Sequence, residues 1–490
     1  MDGGPGRTPA GPEGGPRTSR WRYIGPGIVV AATGVGAGDL VATLIAGSKF
    51  GYTLMWAAVL GCLVKISLAE AAGRWHLATG RTLFEGWRTL GGWTTGYFAV
   101  YVVVWGFVYG AAAMVSSALP LDALFPGTMD LKAWAVLTGL VGLVFVWFNR
   151  YAVFEKVMTV LVGVMFVVTV YLAVRVGPHL GDALAGLGPA LPDGSLLYTL
   201  GLIGGVGGTI TLAAYGYWVN AKGWTDSGWM KVMRLDNRVA YLTTGVFVVA
   251  MLVVGAELLH STDIALTKGD KGLLDLSDVL AARYGETTAK LFLVGFFATS
   301  FTSLIGVWHG VSLLVADFVA TYRNAGQAAV GNGAGTPAGG PAGGAPGAEA
   351  ADGAGGAPDA GALDGARGAG GVPDAGAVDG AGGAPEAEAA NGARGVPDRE
   401  RSLPFRLYLL WLTFPPISLL FLDEPFALVI GYGVLGAFFM PFLALTLLWL
   451  LNTDRTPAEW RNGPLSNVML TSAGLLFLVL CVQQVRDLPW

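Results

Sequence analysis

The sequence is poor in charged side chains and has almost no cysteine. Asp, Glu, Lys and Arg make up 13% of its 490 residues, whereas hydrophobic residues make up 53%. Since an average soluble domain has about 25% charged residues, this balance excludes an ordinary soluble protein and indicates an integral membrane protein. The two cysteines, Cys62 and Cys481, lie far apart in apolar segments, so we expect them to be packing residues and not a disulfide or metal pair. The net charge of −4 provides no case for a nucleic-acid partner.

The sequence also lacks the motifs of hydrolytic and redox enzymes. It contains no P-loop, no HExxH, no CxxC pair and no nucleophile elbow. We therefore expect neither an enzyme nor a bound cofactor. Residues 1–20 are rich in Gly, Pro and Arg without an apolar core, which predicts a disordered cytoplasmic tail and no cleavable signal.

Long apolar segments predict an all-α membrane protein with eleven spans. A span requires about 20 apolar residues. The predicted spans are 24–47, 52–74, 95–118, 132–148, 155–176, 196–220, 237–258, 288–320, 404–421, 425–451 and 466–485. Lys and Arg are concentrated in alternate loops, and by the positive-inside rule the N-terminus is predicted to be cytoplasmic and the C-terminus external. The expected location is the cell membrane, with the lipid bilayer as surroundings.

Residues 324–400 separate the eighth and ninth predicted spans. They are dominated by Gly, Ala, Pro and Asp and contain an imperfect 15-residue repeat. Such a composition buries too little apolar area to offset the entropy of ordering, which predicts a disordered cytoplasmic linker. The linker is either a dispensable insertion or a partner-binding arm. It divides the chain into spans one to eight, in 21–323, and spans nine to eleven, in 401–490.

Two glycine-rich interruptions fall at matching places in the first and sixth spans. Their residues are Gly34, Gly36, Gly38 and Asp39 in the first, and Gly204, Gly205, Gly207, Gly208, Thr209 and Thr211 in the sixth. Lipid cannot satisfy free backbone N–H and C=O groups, so a broken helix survives only where it lines a protein cavity. Paired interruptions in two halves of a chain indicate a transporter's binding site. We therefore predict a transporter of a small solute, with a metal ion as the first hypothesis.

Asp39 is the strongest candidate for a substrate-binding residue in these interruptions. An ionisable group at mid-membrane usually faces a cavity or a partner, and carbonyl groups freed by the nearby glycines would suit a hard cation. Two interpretations stay open: Asp39 binds a cation, or it caps the second half of the broken helix. Thr211 has a similar alternative, because threonine also bonds locally to freed carbonyl groups.

Other polar residues within spans have ordinary explanations beside functional ones. Lys65 lies deep in the second span, and if it lines the cavity its charge would repel a divalent ion. Glu70 lies near the cytoplasmic end of the same span, where snorkelling is the alternative. His309 is expected to be a packed, hydrogen-bonded histidine, while Glu257 and Asp317 mark span ends and are expected to be solvated.

Several segments resemble the Nramp divalent-metal transporters. The stretch "GPG…GAGDLVATLIAGSKFGY" is similar to the family's "GP…DPGN…AGSKFGY", and "LATGRTLFEGW" is similar to its "ATGKDLAE" loop. "FFATSFTSLIGVWHGVSLLVADF" resembles the family's helix 8, and "FFMPFLALTLL" resembles its helix 10. The resemblance covers nearly all of the chain apart from the tail and the linker. It implies two inverted five-helix repeats of the LeuT-like type, an added eleventh helix, and cation binding between helices 1 and 6.

The departures from the family pattern fall on its functional positions. These positions carry Gly36, Ala37 and Asp39 in the "DPGN" motif, Thr211, Leu212 and Ala213 in the "MPH" triplet, and Gly110 and Ala113 at two acidic positions of helix 3. Losing the thioether leaves oxygen ligands, which suit Mg²⁺, Ca²⁺ or Mn²⁺. Losing the acids and the histidine argues against tight proton coupling. The pattern resembles the Nramp-related magnesium transporters more than the proton-coupled members.

The sequence therefore predicts alternating-access transport of a divalent cation, Mg²⁺ or Mn²⁺, without tight proton coupling. The metal is the substrate and not a cofactor, and no obligate protein partner is inferred. The predicted ligands are Asp39, Thr211, and the carbonyl groups of Thr33, Gly36 and Gly208. The alternatives are a proton-coupled manganese or iron importer, a transporter of a small organic solute, and a membrane sensor or scaffold that does not transport.

Overall fold

The computed structural model describes residues 25–148, 151–205, 208–260, 270–333, 399–422 and 425–486, and these residues form helices without any strand. The first half contains α1 Pro26–Thr33, α2 Ala37–Phe50, α3 Met55–Thr79, α4 Leu83–Arg88, α5 Gly92–Leu124, α6 Leu131–Phe148, α7 Tyr151–Arg175 and α8 Leu180–Ala185. The second half contains α9 Leu196–Gly205, α10 Thr211–Ala221, α11 Met230–Gly255, α12 Asp270–Tyr284, α13 Glu286–Gly333, α14 Leu403–Thr413, α15 Pro425–Asn452 and α16 Pro464–Arg486.

Each predicted span coincides with one helix or with two helices in series. The first span consists of α1 and α2, and the sixth of α9 and α10, so both glycine-rich interruptions are real helix breaks. Among the described residues, eight helices are long and apolar enough to cross a membrane. The halves of the broken spans have only 8 to 14 residues each and do not qualify alone. The all-helical membrane fold is confirmed, and eleven crossings stays a prediction.

The outer surface of the helix bundle is apolar, as a bilayer requires. On α7, Val153, Val160, Val167 and Val174 recur every seven residues and are 44%, 65%, 66% and 70% exposed. Residues at this spacing lie on one face of a helix. Since such a face would be unfavourable in water, we interpret it as a lipid-facing surface.

Glycine allows several helices inside the bundle to approach closely. A Cβ atom added to Gly47 of α2 would overlap the carbonyl oxygen of Leu252 in α11, and one added to Gly255 would lie 2.5 Å from the carbonyl oxygen of Leu44. Small residues serve the same purpose in membrane bundles generally. This contact holds α2, the second half of the broken first span, tightly against α11.

The two segments predicted to be disordered are mostly outside the described residues. The tail 1–20 and residues 334–398 of the predicted linker 324–400 belong to that part of the chain. The helix α13 extends to Gly333, which is beyond the predicted start of the linker.

Candidate functional site

The first break consists of Gly34, Val35 and Gly36, between α1 and α2. The N–H group of Gly34 donates to the carbonyl oxygen of Ala31 at 3.2 Å, so α1 closes with a tight turn. Gly36 has φ −121° and ψ −174°, an extended conformation that begins α2 as its N-cap residue. Val35 between them belongs to neither helix, although its N–H group still donates to the carbonyl oxygen of Ala32 at 3.2 Å.

Asp39 occupies the third position of α2 and caps it. Its Oδ2 atom accepts the N–H group of Gly36 at 2.9 Å, and the side chain is buried, with 8% exposed. A carboxylate in this position is stabilised by the free N–H groups and by the positive end of the helix dipole. Asp39 therefore caps the N-terminus of α2 in this conformation. This contact uses one of the two carboxylate oxygens, so capping does not exclude cation binding by the same side chain.

The second break lies between α9 and α10 and touches the first. Gly208 has φ +95°, in the region that favours glycine, and a Cβ atom there would lie 3.1 Å from the Cα atom of Gly34. The same Cβ atom would lie 2.9 Å from Oγ1 of Thr211. That hydroxyl is buried and has no hydrogen-bond partner among the described residues. A buried unsatisfied hydroxyl is costly, and this one lies where the two breaks touch.

The three predicted carbonyl ligands already accept hydrogen bonds in this conformation. The Thr33 oxygen accepts from Oγ of Ser303 at 3.1 Å. The Gly36 oxygen accepts the backbone N–H groups of Asp39 and Leu40 at 3.1 and 3.2 Å, so both its lone pairs are used within α2. The Gly208 oxygen accepts from Lys65. Thr33 thus keeps room for a second partner, whereas Gly36 would have to leave α2 to bind a cation.

Lys65 of α3 lies at the crossing of the breaks, the place where Gly34 and Gly208 approach each other. Its side chain is fully buried, and besides its hydrogen bond to Gly208 its Nζ atom lies 3.9 Å from Sδ of Met440. The same atom lies 5.2 Å from the ring centre of Phe477, and the ammonium group interacts electrostatically with Asp39. The sequence left open whether Lys65 faces this region. The structure places its amino group on the carbonyl oxygen of Gly208, within electrostatic range of Asp39.

A polar wall faces the first break from α5, α13 and α15. Tyr109 donates its hydroxyl to the carbonyl oxygen of Ser303 at 3.0 Å, and its ring meets that of Tyr432 edge-on at 5.5 Å. Ser303 lies close enough to Gly36 that a Cβ atom there would be 3.1 Å from its Oγ. Sequence reasoning missed all three residues. Their hydroxyl groups, which lie within otherwise apolar spans, were the sequence signal that could have identified them.

Acidic groups are scarce around the breaks. Among the described residues, no group of three or more His, Cys, Asp or Glu side chains could hold a metal ion. The position of Gly110 cannot take a side chain in this packing, because a Cβ atom would overlap the carbonyl oxygen of Leu412 and lie against Pro416. Any cation here would therefore depend on Asp39 and neutral oxygen atoms.

Glu70 and His309 lie in networks away from the breaks. Glu70 pairs with Arg74 at 3.1 Å and with Arg234 at 2.9 Å. The expectation for His309 is met, since it stacks on Phe154 and its Nδ1 accepts from Nε1 of Trp218 at 3.1 Å.

The expectation that Glu257 and Asp317 are solvated was wrong. Glu257 is 8% exposed and accepts the hydroxyl of Tyr52 at 2.6 Å, and Asp317 is 2% exposed and accepts that of Tyr217 at 2.6 Å. Asp317 also pairs with Arg399 at 3.0 Å. Partners from distant parts of the chain cover both carboxylates, although their positions at span ends suggested contact with water.

Comparison with known proteins identifies the family. The model of the Nramp family, described as "Natural resistance-associated macrophage protein-like", matches residues 27–330. The chain belongs to the Nramp family. A relative from Levilactobacillus brevis, named divalent metal cation transporter MntH, is 24% identical over 307 residues, which cover 58% of this chain and 66% of the relative. A Mycobacterium tuberculosis protein of the same name is 26% identical over 314 residues, which cover 60% of this chain and 70% of the relative.

The fold is shared with a solved manganese transporter structure. A crystal structure of an Eremococcus coleocola manganese transporter mutant superposes with a TM-score of 0.69 at 16% identity, covering 97% of this chain and 91% of that one. The resemblance inferred from the sequence motifs is thereby confirmed, as is the LeuT-like architecture with broken first and sixth spans. This Nramp protein is a multi-pass membrane protein, and its relatives are transporters and not enzymes.

Proposed function

We propose that this protein moves a divalent metal cation across the membrane by alternating access. The observation that carries the proposal is the contact of the two helix breaks at Gly34 and Gly208, with Asp39 and the unpartnered hydroxyl of Thr211 beside it. Broken helices at this depth are tolerated where they line a substrate site. The names of the relatives, divalent metal cation transporters, favour a metal as the substrate.

The chemistry of the site favours a hard cation. We propose Asp39, Oγ1 of Thr211 and the carbonyl oxygen of Thr33 as ligands, with Gly208 joining once its carbonyl group is released. Gly36 would join only by uncoupling from the first turn of α2. An oxygen set with one carboxylate suits Mg²⁺ or Mn²⁺, and Mg²⁺ keeps several of its waters when bound.

Uptake by this route does not require proton coupling. A membrane potential of about 100 mV contributes roughly 4.6 kcal/mol to the entry of two positive charges, at about 2.3 kcal/mol per charge. The family's acidic and histidine positions are occupied here by Gly110, Ala113 and Ala213, and the packing around Gly110 leaves no room for an acid. We therefore propose a uniporter oriented with a cytoplasmic N-terminus and an external C-terminus.

The test is metal flux into proteoliposomes with two substitutions of Asp39. Asp39→Asn keeps an oxygen that can accept the Gly36 N–H group but removes the charge, while Asp39→Ala removes both. Loss of a helix cap costs about 1 kcal/mol, so Asp39→Ala should be less stable than Asp39→Asn. Both variants should lose at least about nine-tenths of the Mg²⁺ or Mn²⁺ flux, since one factor of ten corresponds to about 1.4 kcal/mol of lost ion binding. Lumenal pH, followed in parallel, should not change.

Two outcomes would contradict the proposal in different ways. If Asp39→Asn transports like wild type, Asp39 is a cap and not a ligand. If wild type moves neither metal while the Eremococcus coleocola protein moves manganese in the same preparation, divalent-metal transport itself is refuted.

A second candidate is a small organic solute that carries both an amino and a carboxylate group. The specific observation in its favour is that the amino group of Lys65 lies on the second break and the carboxylate of Asp39 on the first, where the breaks touch, and a zwitterion would match both. A ligand present at about 100 times its Kd stabilises the protein by about 2.7 kcal/mol. A rise in melting temperature with amino acids but not with Mg²⁺ or Mn²⁺ would favour this candidate.

A further inference from the structure

The position of Lys65 needs an explanation beyond packing. The side chain is fully buried, and its ammonium group bonds the carbonyl oxygen of Gly208 in the second break. A buried ammonium is strongly unfavourable unless other groups compensate it. Here the compensation comes from the carbonyl group of Gly208 and the carboxylate of Asp39, which are two of the groups that a metal ion would use.

An ammonium group and a metal ion at this place exclude each other. Both are cations that need carbonyl and carboxylate oxygens, and the repulsion between them is strong where water is scarce. A divalent ion cannot bind the Gly208 oxygen beside Asp39 while Lys65 donates to that oxygen. In the conformation described here, the amino group of Lys65 therefore takes the place on the Gly208 oxygen that a metal ion would need.

Two other side chains already flank Nζ of Lys65 and could hold it if it left Gly208. Sδ of Met440 in α15 lies 3.9 Å from Nζ, and the ring of Phe477 in α16 lies 5.2 Å from it. An aromatic face attracts a desolvated cation, and a sulfur atom is a weak acceptor. The flexible four-carbon stem of lysine allows a shift from Gly208 toward these two side chains without any movement of α3.

We propose that Lys65 is a tethered cation that occupies the metal site while it is empty and withdraws toward Met440 and Phe477 when the metal binds. This inference rests on the proposed function. It gives Lys65 two effects. It weakens the apparent metal affinity, because only the fraction of molecules with Lys65 withdrawn can bind. It also neutralises Asp39 while the empty transporter reorients, a step that an uncompensated charge would hinder.

The experiment compares Lys65→Met and Lys65→Gln, which remove the charge, with Lys65→Arg, which keeps it. Mn²⁺ and Mg²⁺ binding is measured by calorimetry on the full-length protein, and net uptake and metal-for-metal exchange are measured in proteoliposomes. Both neutral variants should bind at least about ten-fold more tightly. They should take up metal at least about ten-fold more slowly, yet retain exchange, because exchange does not require the empty transporter to reorient. Lys65→Arg should keep the weaker affinity.

The matched control is Lys222→Met, since Lys222 is a partly buried lysine that pairs with Glu155 at 2.5 Å. It should leave metal affinity within about two-fold of wild type. If Lys65→Met does not fold, Lys65→Gln replaces it, because its amide group can still donate to Gly208.

Wild-type affinity in a folded neutral variant would overturn the inference, as would ten-fold tighter binding by Lys65→Arg. If wild type still transports metal, either of these results would refute only the inference about Lys65 and not the proposed function. Absence of metal binding in wild type and both neutral variants would refute the proposed function together with the inference.

Discussion

Asp236 of α11 supports the start of α1, and its replacement by Asn tests this support. The residue is fully buried. Its Oδ1 atom accepts the N–H group of Gly25 at 2.8 Å, and its Oδ2 atom accepts that of Gly27 at 2.5 Å and the hydroxyl of Tyr215 at 3.1 Å. The first N–H groups of a helix have no acceptors within the helix. The carboxylate of Asp236 provides these acceptors from a distant part of the chain.

The expected cost of Asp236→Asn follows from these contacts. An amide has one oxygen, so its NH₂ group must face an N–H donor, either that of Gly25 or that of Gly27. Losing a hydrogen bond to a charged group costs about 1.5–3 kcal/mol, and leaving a buried donor unsatisfied costs about 1–3 kcal/mol. Because the two costs overlap, we expect Asp236→Asn to lower the free energy of unfolding by about 3 kcal/mol.

The assay is the free energy of unfolding of the purified protein in detergent micelles. Asp226→Asn is the matched control, since Asp226 caps the N–H group of Gly228 at 2.8 Å in an exposed turn. The control should lie within about 0.5 kcal/mol of wild type. If Asp236→Asn also lies within that margin, the capping by a charged carboxylate is refuted, and the anchoring of α1 must come from packing alone.

Two further predictions concern the second break and a loop. Gly208→Ala places a side chain at φ +95°, 3.1 Å from the Cα atom of Gly34. The backbone strain alone costs about 1–2 kcal/mol, so melting temperature and metal flux should both fall, whereas Gly163→Ala, where a Cβ atom meets nothing, should leave both intact. The pKa of His179 is raised above 6.5 by its hydrogen bond to the Glu257 carboxylate. Its contribution to stability is therefore full below a pH of about 6.5 and is lost as the pH rises through the raised value. The difference in melting temperature between wild type and His179→Gln should shrink over that interval, and a constant difference would contradict the assignment.

Features that depend on the local sequence could be predicted, and features that depend on distant contacts could not. The breaks followed from glycines in apolar segments, because lipid permits interrupted helices only around a site. The bond from Lys65 to Gly208 joins residues 143 positions apart, and the bond from Gly25 to Asp236 joins residues 211 positions apart. No periodicity or motif encodes such pairs, since they depend on how the helices pack.

The same reason explains the errors about buried carboxylates. A residue at the end of a span faces water when its helix is considered alone, and this was the basis for expecting Asp317 to be solvated. In the folded protein, Tyr217 and Arg399 come from other elements and satisfy both of its oxygens. Sequence gives the depth of a residue in the membrane more readily than its neighbours.

The altered motif at the first break has a consequence for affinity. Relative to the Nramp pattern, the carboxylate has moved from the position of Gly36 to that of Asp39, one helical turn further. There it binds the N–H group of Gly36 at 2.9 Å and shares its charge with the helix dipole and with Lys65. A carboxylate whose charge is already compensated attracts a divalent ion less strongly than a free one. We therefore expect weak binding, which favours a cation that is abundant and retains its waters, as Mg²⁺ does, over a scarce metal that must be captured tightly.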